Sequence, residues 1–176
     1  MKKILLVAGT ALALAGCGEK GDFEKAINAK IGQNKYCFSL DNNNTSFPIR
    51  LAKPRFDQTG TGTNSVILDG FVEQGMMVFE RGYDSNVLGI TEEGKKAKVW
   101  STTDGACVGR RAVDEIKEWR EPGNGGQKVV RVSYTWKLVD VPGWIDKKAF
   151  ANVKGMNEPA DGAMNLVKTS NGWKAN

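Results

Sequence analysis

The apolar and polar positions predict a helix that is followed by a strand near the start of the chain. After Asp22, which can cap a helix, apolar residues recur at helical spacing. These residues are Phe23, Ala26, Ile27 and Ile31. Residues 35–40 then alternate between the two sides of an extended segment, which predicts a strand.

A second helix with a hairpin behind it is predicted in the middle of the chain. The helix begins at Asn64 or Ser65, ends at Gly75 and carries apolar residues on one side. They are Val66, Ile67, Leu68, Phe71 and Val72. Two extended segments follow within residues 76–90, separated by a turn at 81–84.

The second half of the chain is predicted to be mainly strand. Its clearest signal is a strict alternation that places Val130, Val132, Tyr134, Trp136 and Leu138 on one face. Polar residues fill the other face, which indicates an antiparallel strand with one face in water. Residues 112–120, a glycine-rich turn and residues 128–139 predict a long hairpin, although the spacing within 112–120 is mixed. Residues 98–103 are also expected to be extended.

Two short elements are predicted towards the C-terminus. Residues 144–153 fit a short helix with Ile145, Ala149, Phe150 and Val153 inward. Residues 164–169 and 173–175 fit a closing hairpin that turns through Asn171-Gly172.

Residues 65–100 resemble part of a known domain type. Two runs separated by a turn are similar to the helix-plus-wing unit of winged-helix domains. They are Leu68-Asp69-Gly70-Phe71-Val72-Glu73-Gln74-Gly75-Met76-Met77 and Leu88-Gly89-Ile90-Thr91-Glu92-Glu93-Gly94-Lys95-Lys96. The predicted fold class is therefore α+β. A single domain over residues 22–176 would have an N-terminal helix, a winged-helix-like segment and an antiparallel sheet of hairpins.

The first residues have the layout of a secretory signal peptide. Lys2 and Lys3 precede an apolar run over residues 4–14, and small residues stand before Cys17. The sequence Leu14-Ala15-Gly16-Cys17 resembles the lipobox of bacterial lipoproteins. That resemblance implies diacylglycerol on the Cys17 thiol, cleavage before Cys17 and acylation of the new amino group, for example with palmitate. Residues 1–16 would then be a signal peptide and residues 17–21 a lipidated tether.

The proposed anchor fixes an expected location. Gly18 follows the cysteine, and in Gram-negative lipoproteins this pattern implies transfer to the outer membrane, with the domain on its periplasmic face. A plain secreted protein with a cysteine at its cleavage site is the alternative. A membrane-spanning helix is disfavoured because the eleven apolar residues from Ile4 to Leu14 fall short of the roughly 20 that cross a bilayer.

The remaining cysteines, Cys37 and Cys107, are an even pair in an exported chain and predict a disulfide. Two independent buried thiols are the alternative. The chain contains no histidine, which excludes Ser-His-Asp and Cys-His catalysis and most zinc chemistry. We therefore expect no metal, no cofactor and no enzymatic activity.

The charge pattern argues against nucleic acid as a partner. Loss of Lys2 and Lys3 with the signal peptide lowers the formal net charge from +5 to +3, a mild excess without a basic run. The winged-helix-like helix offers Asp69 and Glu73 where DNA contacts require Arg or Lys. The carboxylates within residues 114–121 alternate with cations and indicate a solvated strand face rather than an acid–base pair.

The remaining candidates for function are aromatic and arginine side chains. Most of the five tryptophans sit beside apolar residues and are expected in the core. Trp119 and Trp144 each lie at a turn and could contact a partner, together with Arg110, Arg111 and Arg120. The preferred hypothesis is a non-enzymatic envelope lipoprotein that binds or assembles with another envelope protein, an immunity-type inhibitor being one concrete form. The alternative is a module that binds glycan or peptidoglycan fragments through exposed tryptophans.

Overall fold

The structure, a computed structural model, describes residues 15–52, 63–121 and 128–176. The helices are α1 (Ala15–Ile31), α2 (Thr63–Glu73) and α3 (Glu92–Ala97). The first four strands are β1 (Lys35–Phe38), β2 (Ile49–Ala52), β3 (Met77–Arg81) and β4 (Ser85–Ile90). The second four are β5 (Ala106–Arg120), β6 (Val129–Val139), β7 (Ala160–Thr169) and β8 (Gly172–Ala175).

Five strands form an antiparallel sheet in the order β1-β5-β6-β7-β8. The predicted long hairpin is confirmed, with β5 and β6 paired from Arg110 opposite Val139 to Arg120 opposite Arg131. The alternation predicted for β6 is also confirmed, because the apolar residues on its inner face are buried. The closing hairpin is β7 with β8, and β7 begins at Ala160, earlier than predicted.

Helix α1 covers the inner face of this sheet. Its buried residues are the ones that the helical spacing predicts: Phe23, Ala26, Ile27 and Ile31. The helix starts at Ala15, so the prediction that Asp22 caps it is wrong: Asp22 is exposed within the helix. Glu19 and Lys20, which favour helices, lie in the added turns. The side chain of Asn28 accepts a hydrogen bond from the backbone amide of Val113 at 2.8 Å and so fixes α1 along β5.

A second antiparallel sheet has the order β2-β4-β3. Strands β3 and β4 of this sheet follow α2, which buries Ile67, Leu68 and Phe71 and ends before Gly75, as predicted. Gly75 has a positive φ of 74°, a conformation that glycine adopts without steric cost. The described helices and sheets share one hydrophobic core, so the fold is an α+β domain.

The predicted helix over residues 144–153 is wrong. The segment is a series of turns in which amides bond three residues back, as from Val153 to Phe150 at 3.0 Å. Of the four residues predicted to face inward, Ile145, Phe150 and Val153 are buried, and Ala149 is half-buried against the core. Residues 98–103 form no strand either: Ser101 and Gly105 make an isolated bridge.

Cys37 and Cys107 form a disulfide, 70 residues apart in sequence. The two cysteines face each other in the register of β1 and β5, so the bond joins two neighbouring strands. Within the described residues, no helix is long and apolar enough to cross a membrane.

Candidate functional site

The β3–β4 hairpin carries the most exposed large apolar side chains of the described residues. Tyr83 at its tip is 93% exposed, and Val78 on β3 is 42% exposed. Arg81 stands exposed between them in sequence. Gly89 lies opposite Val78 in the register and has no side chain to cover it. We call Val78, Arg81 and Tyr83 the hairpin surface, in which Val78 and Arg81 project from opposite faces of β3.

The turn geometry places Tyr83 at the tip. Arg81 pairs with Asn86, and the amide of Gly82 donates to the carbonyl of Ser85 at 3.1 Å. A Cβ atom on Gly82 would lie 2.5 Å from that carbonyl oxygen, so the close approach requires glycine. Tyr83 and Asp84 are therefore the two residues that the closed turn presents to solvent.

The base of the hairpin is held by a hydrogen-bond network around Thr91. The Thr91 hydroxyl accepts from the amide of Gly94 at 3.0 Å and caps α3. The same hydroxyl donates to the carbonyl of Gly75 at 2.8 Å, just before β3 begins. The Met77 and Leu88 side chains are buried in the core beside this network. The hairpin is thus an exposed tip on a fixed base.

Trp119 and Trp144, predicted as contact residues, are both half-buried. Trp119 meets the ring of Phe23 edge-on, with 5.3 Å between the ring centroids. Trp144 lies 6.0 Å from the ring of Phe71, and its carbonyl accepts a hydrogen bond from the Gln74 side chain at 2.7 Å. Both rings are therefore packed against the core rather than projected into solvent.

The structure does not bring the predicted contact residues together. Arg110 and Arg120 are ten positions apart on β5 and hence roughly 30 Å apart along the strand. Arg110 forms an ion pair with Asp140, and Arg120 lies 3.4 Å from the carboxylate of Glu118. Arg110 and Arg120 thus lie at opposite ends of the sheet and do not form one surface.

Arg111 lies on the inner face among aromatic rings. Its guanidinium carbon is 5.7 Å from the ring centroid of Tyr36 and 5.7 Å from that of Trp136, within cation–π range. Burial raises the pKa of Tyr134, and the nearby charge of Arg111 partly opposes that rise. Arg111 therefore contributes to the packing of the sheet more than to an open surface.

The acidic residues within 114–121, on β5 and just after it, form a solvated face, as predicted. Each carboxylate pairs with a cation: Asp114 with Lys137, Glu115 with Lys117, Glu118 with Arg120, and Glu121 with Lys128. The hydrogen bond to Glu115 raises the pKa of Lys117, and the one to Glu121 raises the pKa of Lys128. These residues alternate in charge along the strand and do not assemble an acid–base pair.

Two open clefts of the described residues are lined mainly by polar atoms, whereas a third, beside Arg110 and Pro142, is lined mainly by apolar atoms. One of about 480 Å³ lies along residues 151–160, and one of about 370 Å³ lies beside the disulfide with Lys35 and Asp104 at its rim. Lys35 and Asp104 form an ion pair at 2.8 Å across this second cleft. Among residues 15–52, 63–121 and 128–176, no group of acidic or cysteine side chains is arranged to hold a metal ion.

Cys17 lies near the start of α1, and its side chain is outside the part of the chain that the structure describes. Leu14 and the signal-like residues before it are outside that part as well. The lipidation predicted at Cys17 therefore stays a prediction from the sequence.

Sequence reasoning did not single out Tyr83 as an exposed aromatic residue. The sequence predicts the turn at 81–84, and a residue at the centre of a tight turn lies outside both strand faces. An aromatic residue at the centre of a predicted turn is therefore a stronger sequence signal for exposure than a tryptophan that lies beside a turn. Comparison of the chain with protein-family models, with characterised proteins and with solved structures finds no match.

Proposed function

We propose that the protein is a lipid-anchored envelope lipoprotein that binds another envelope protein through its hairpin surface, without enzymatic activity. The observation that carries the proposal is the 93% exposure of Tyr83 at the tip of a fixed hairpin. Tyr and Arg are enriched among the anchors of protein interfaces, and Tyr83 and Arg81 supply one of each. An immunity-type inhibitor of a toxin or hydrolase is one form that such a binder takes.

The resemblance to winged-helix domains belongs to this proposal. Helix α2, the β3–β4 hairpin and α3 follow one another in the order of a helix-plus-wing unit. Helix α2 contains no Lys or Arg and exposes Asp69 and Glu73, which would repel a phosphate backbone. We infer that the hairpin serves protein contact and that DNA is not the partner.

The glycan-binding alternative has less support. Stacking on a sugar requires an open aromatic face, and Trp100, Trp119, Trp136, Trp144 and Trp173 are all buried or half-buried against the core. Trp119 and Trp173 lie together at Phe23, whereas Trp100 and Trp144 lie on other parts of the chain, so the half-buried rings do not form one continuous row. Protein contact through the hairpin is therefore the better-supported function.

Site-directed photocrosslinking tests the contact. A benzophenone amino acid in place of Tyr83 should give a protein adduct in intact cells, whereas the same probe in place of exposed Asn152 should not. Val78→Lys should lower the yield of the adduct without lowering the unfolding temperature, because the Val78 side chain is exposed on the outer face of β3. Adducts of equal yield from both positions, or an adduct lost after digestion of the cell wall, would contradict the proposal.

The anchor is tested by mass spectrometry of the N-terminus. We expect a chain that begins at Cys17 and carries a diacylglyceryl group and an amide-linked acyl chain. Cys17→Ser should release the protein from the membrane or leave it unprocessed, since two or more acyl chains are needed for stable anchoring. Normal processing and membrane retention of the Cys17→Ser chain would refute the anchor.

A further inference from the structure

The end of the five-stranded sheet beside the start of α1 is an aromatic cluster. Trp119 at the end of β5 and Trp173 on β8 both meet the ring of Phe23 edge-on, with centroid distances of 5.3 Å and 5.1 Å. Phe23 is fully buried. Because both strands hold Phe23, the chain is fixed to this end of the domain.

The proposed anchor lies close to this fixed point. Cys17 is six residues before Phe23, which corresponds to roughly 9 Å in a helix and at most about 20 Å in an extended chain. A lipid on Cys17 would therefore hold this end of the sheet within that distance of the bilayer surface. The tether is too short for the domain to turn its other end towards the membrane.

Two lysines flank the exposed side of the cluster. The ammonium nitrogen of Lys168 is 5.1 Å from the ring centroid of Trp173, and that of Lys128 is 5.9 Å from it. Lys168 is exposed and makes no ion pair with any described residue. Lys128 is paired with Glu121 at 3.0 Å. We call Lys128, Lys168 and Trp173 the lysine–tryptophan end.

We propose that the lysine–tryptophan end docks on anionic phospholipid headgroups of the bilayer that holds the acyl chains of Cys17, an inference that rests on the proposed lipid anchor. Lysine stems lie along an apolar ring while their ammonium groups reach the phosphates, and tryptophan is favoured at the membrane interface. Basic residues near an anionic surface are attracted to it within a Debye length. The lipid anchor keeps this end of the domain near the bilayer, and the lysines determine which side of the domain faces the headgroups.

Hydrogen–deuterium exchange in lipid nanodiscs tests the docking. The protein is purified from membranes, its lipidation is verified by mass, and it is placed in discs of phosphatidylcholine with or without phosphatidylglycerol. If Cys17 carries no lipid, the anchor is refuted, and the same chain is tethered through its free Cys17 thiol to a maleimide lipid so that docking is still measured. Amides of β8, Gly172–Ala175, report on the contact.

The expected result is slower exchange of β8 in the anionic discs, lost at high salt. Lys168→Gln should weaken docking roughly fivefold, Lys128→Gln should weaken it less because Lys128 is paired with Glu121, and the double variant should lose most of this protection. Lys147→Gln with Lys148→Gln, two exposed lysines beyond the other end of β6, should leave it unchanged. Equal exchange in both lipid compositions, or an equal effect of the two double variants, would overturn the proposal.

Discussion

Replacing Gly70 with alanine measures how closely α2 packs against the turn segment after β6. A Cβ atom at Gly70 would lie 2.4 Å from Cδ1 and 2.6 Å from Cε1 of Phe150. Phe150 is fully buried and meets the ring of Phe71 edge-on at 5.0 Å. The ring of Phe150 therefore has little room to retreat, and the added methyl group must displace packed atoms.

Two opposing terms set the size of the effect. Alanine is favoured over glycine in a helix interior by about 1 kcal/mol. Overpacking a core with one extra carbon costs about 1–3 kcal/mol. The net change in the free energy of unfolding for Gly70→Ala is therefore a loss of about 0–2 kcal/mol.

The matched control is Gly21→Ala in α1, where an added Cβ meets no atom within 4 Å. This variant should gain about 0.5–1 kcal/mol from helix propensity alone. Urea unfolding of both variants at an unchanged m-value gives their difference, which isolates the clash and should be about 1–3 kcal/mol. A Gly70→Ala chain that is stabilised as much as Gly21→Ala would refute the packing of Phe150 over α2.

A second variant identifies the atoms responsible. Phe150→Leu removes the ring edge that the new methyl group would strike, at its own cost in buried area. Combined with Gly70→Ala, it should destabilise less than the sum of the two single changes, because the clash is removed. Strict additivity in urea would mean that Gly70 and Phe150 do not contact each other.

Three further predictions concern stability. Cys37→Ser with Cys107→Ser should lower the free energy of unfolding by roughly 4 kcal/mol by the chain-entropy estimate for a 70-residue separation, measured in urea; an unchanged midpoint would contradict it. Thr91→Ala should lower the free energy of unfolding by about 1–2 kcal/mol through loss of the α3 cap. Thr91→Ser keeps the hydroxyl and should retain most of the wild-type stability. Thermal unfolding of the two variants compares them. Because burial raises the pKa of Tyr134, the unfolded phenol ionises first, and stability should fall as the pH rises above about 10. The stability of Tyr134→Phe should fall less steeply with pH than that of the wild type over this range. The raised pKa values of Lys117 and Lys128 also lower stability as the pH rises, but they do so in both proteins. Identical slopes of stability against pH would contradict the assignment to Tyr134.

The sequence predicts β6 well and β5 poorly for a physical reason. β6 is half-buried and regular, so burial follows its period-two alternation. β5 shifts register between Val113 and Glu115 and again between Ile116 and Glu118. Each irregularity resets the alternation, so Val113, Ile116 and Trp119 reach the inner face at intervals of three residues. That spacing is the mixed pattern seen in the sequence.

The candidate surfaces were less predictable than the fold. A turn beside Trp119 or Trp144 suggests exposure, but Phe23 and Phe71 come from helices distant in sequence and pack against these rings. The cap at Asp22 fails similarly, because the sequence alone does not show that α1 continues to Ala15. Local pattern specifies which side chains are apolar, whereas the elements that cover them depend on tertiary packing.

The two ends of the five-stranded sheet have different neighbours. Phe23 fixes α1 to the end where β5 stops and β6 starts, while Gln74 at the end of α2 bonds to Trp144 beyond the other end of β6. With 11 residues, β6 separates these ends by roughly 36 Å. The β3–β4 hairpin follows directly on α2, so a lipid at Cys17 would hold the opposite end at the bilayer. The base of the hairpin, where the Thr91 hydroxyl donates to the carbonyl of Gly75, would then lie on the side of the domain away from the membrane.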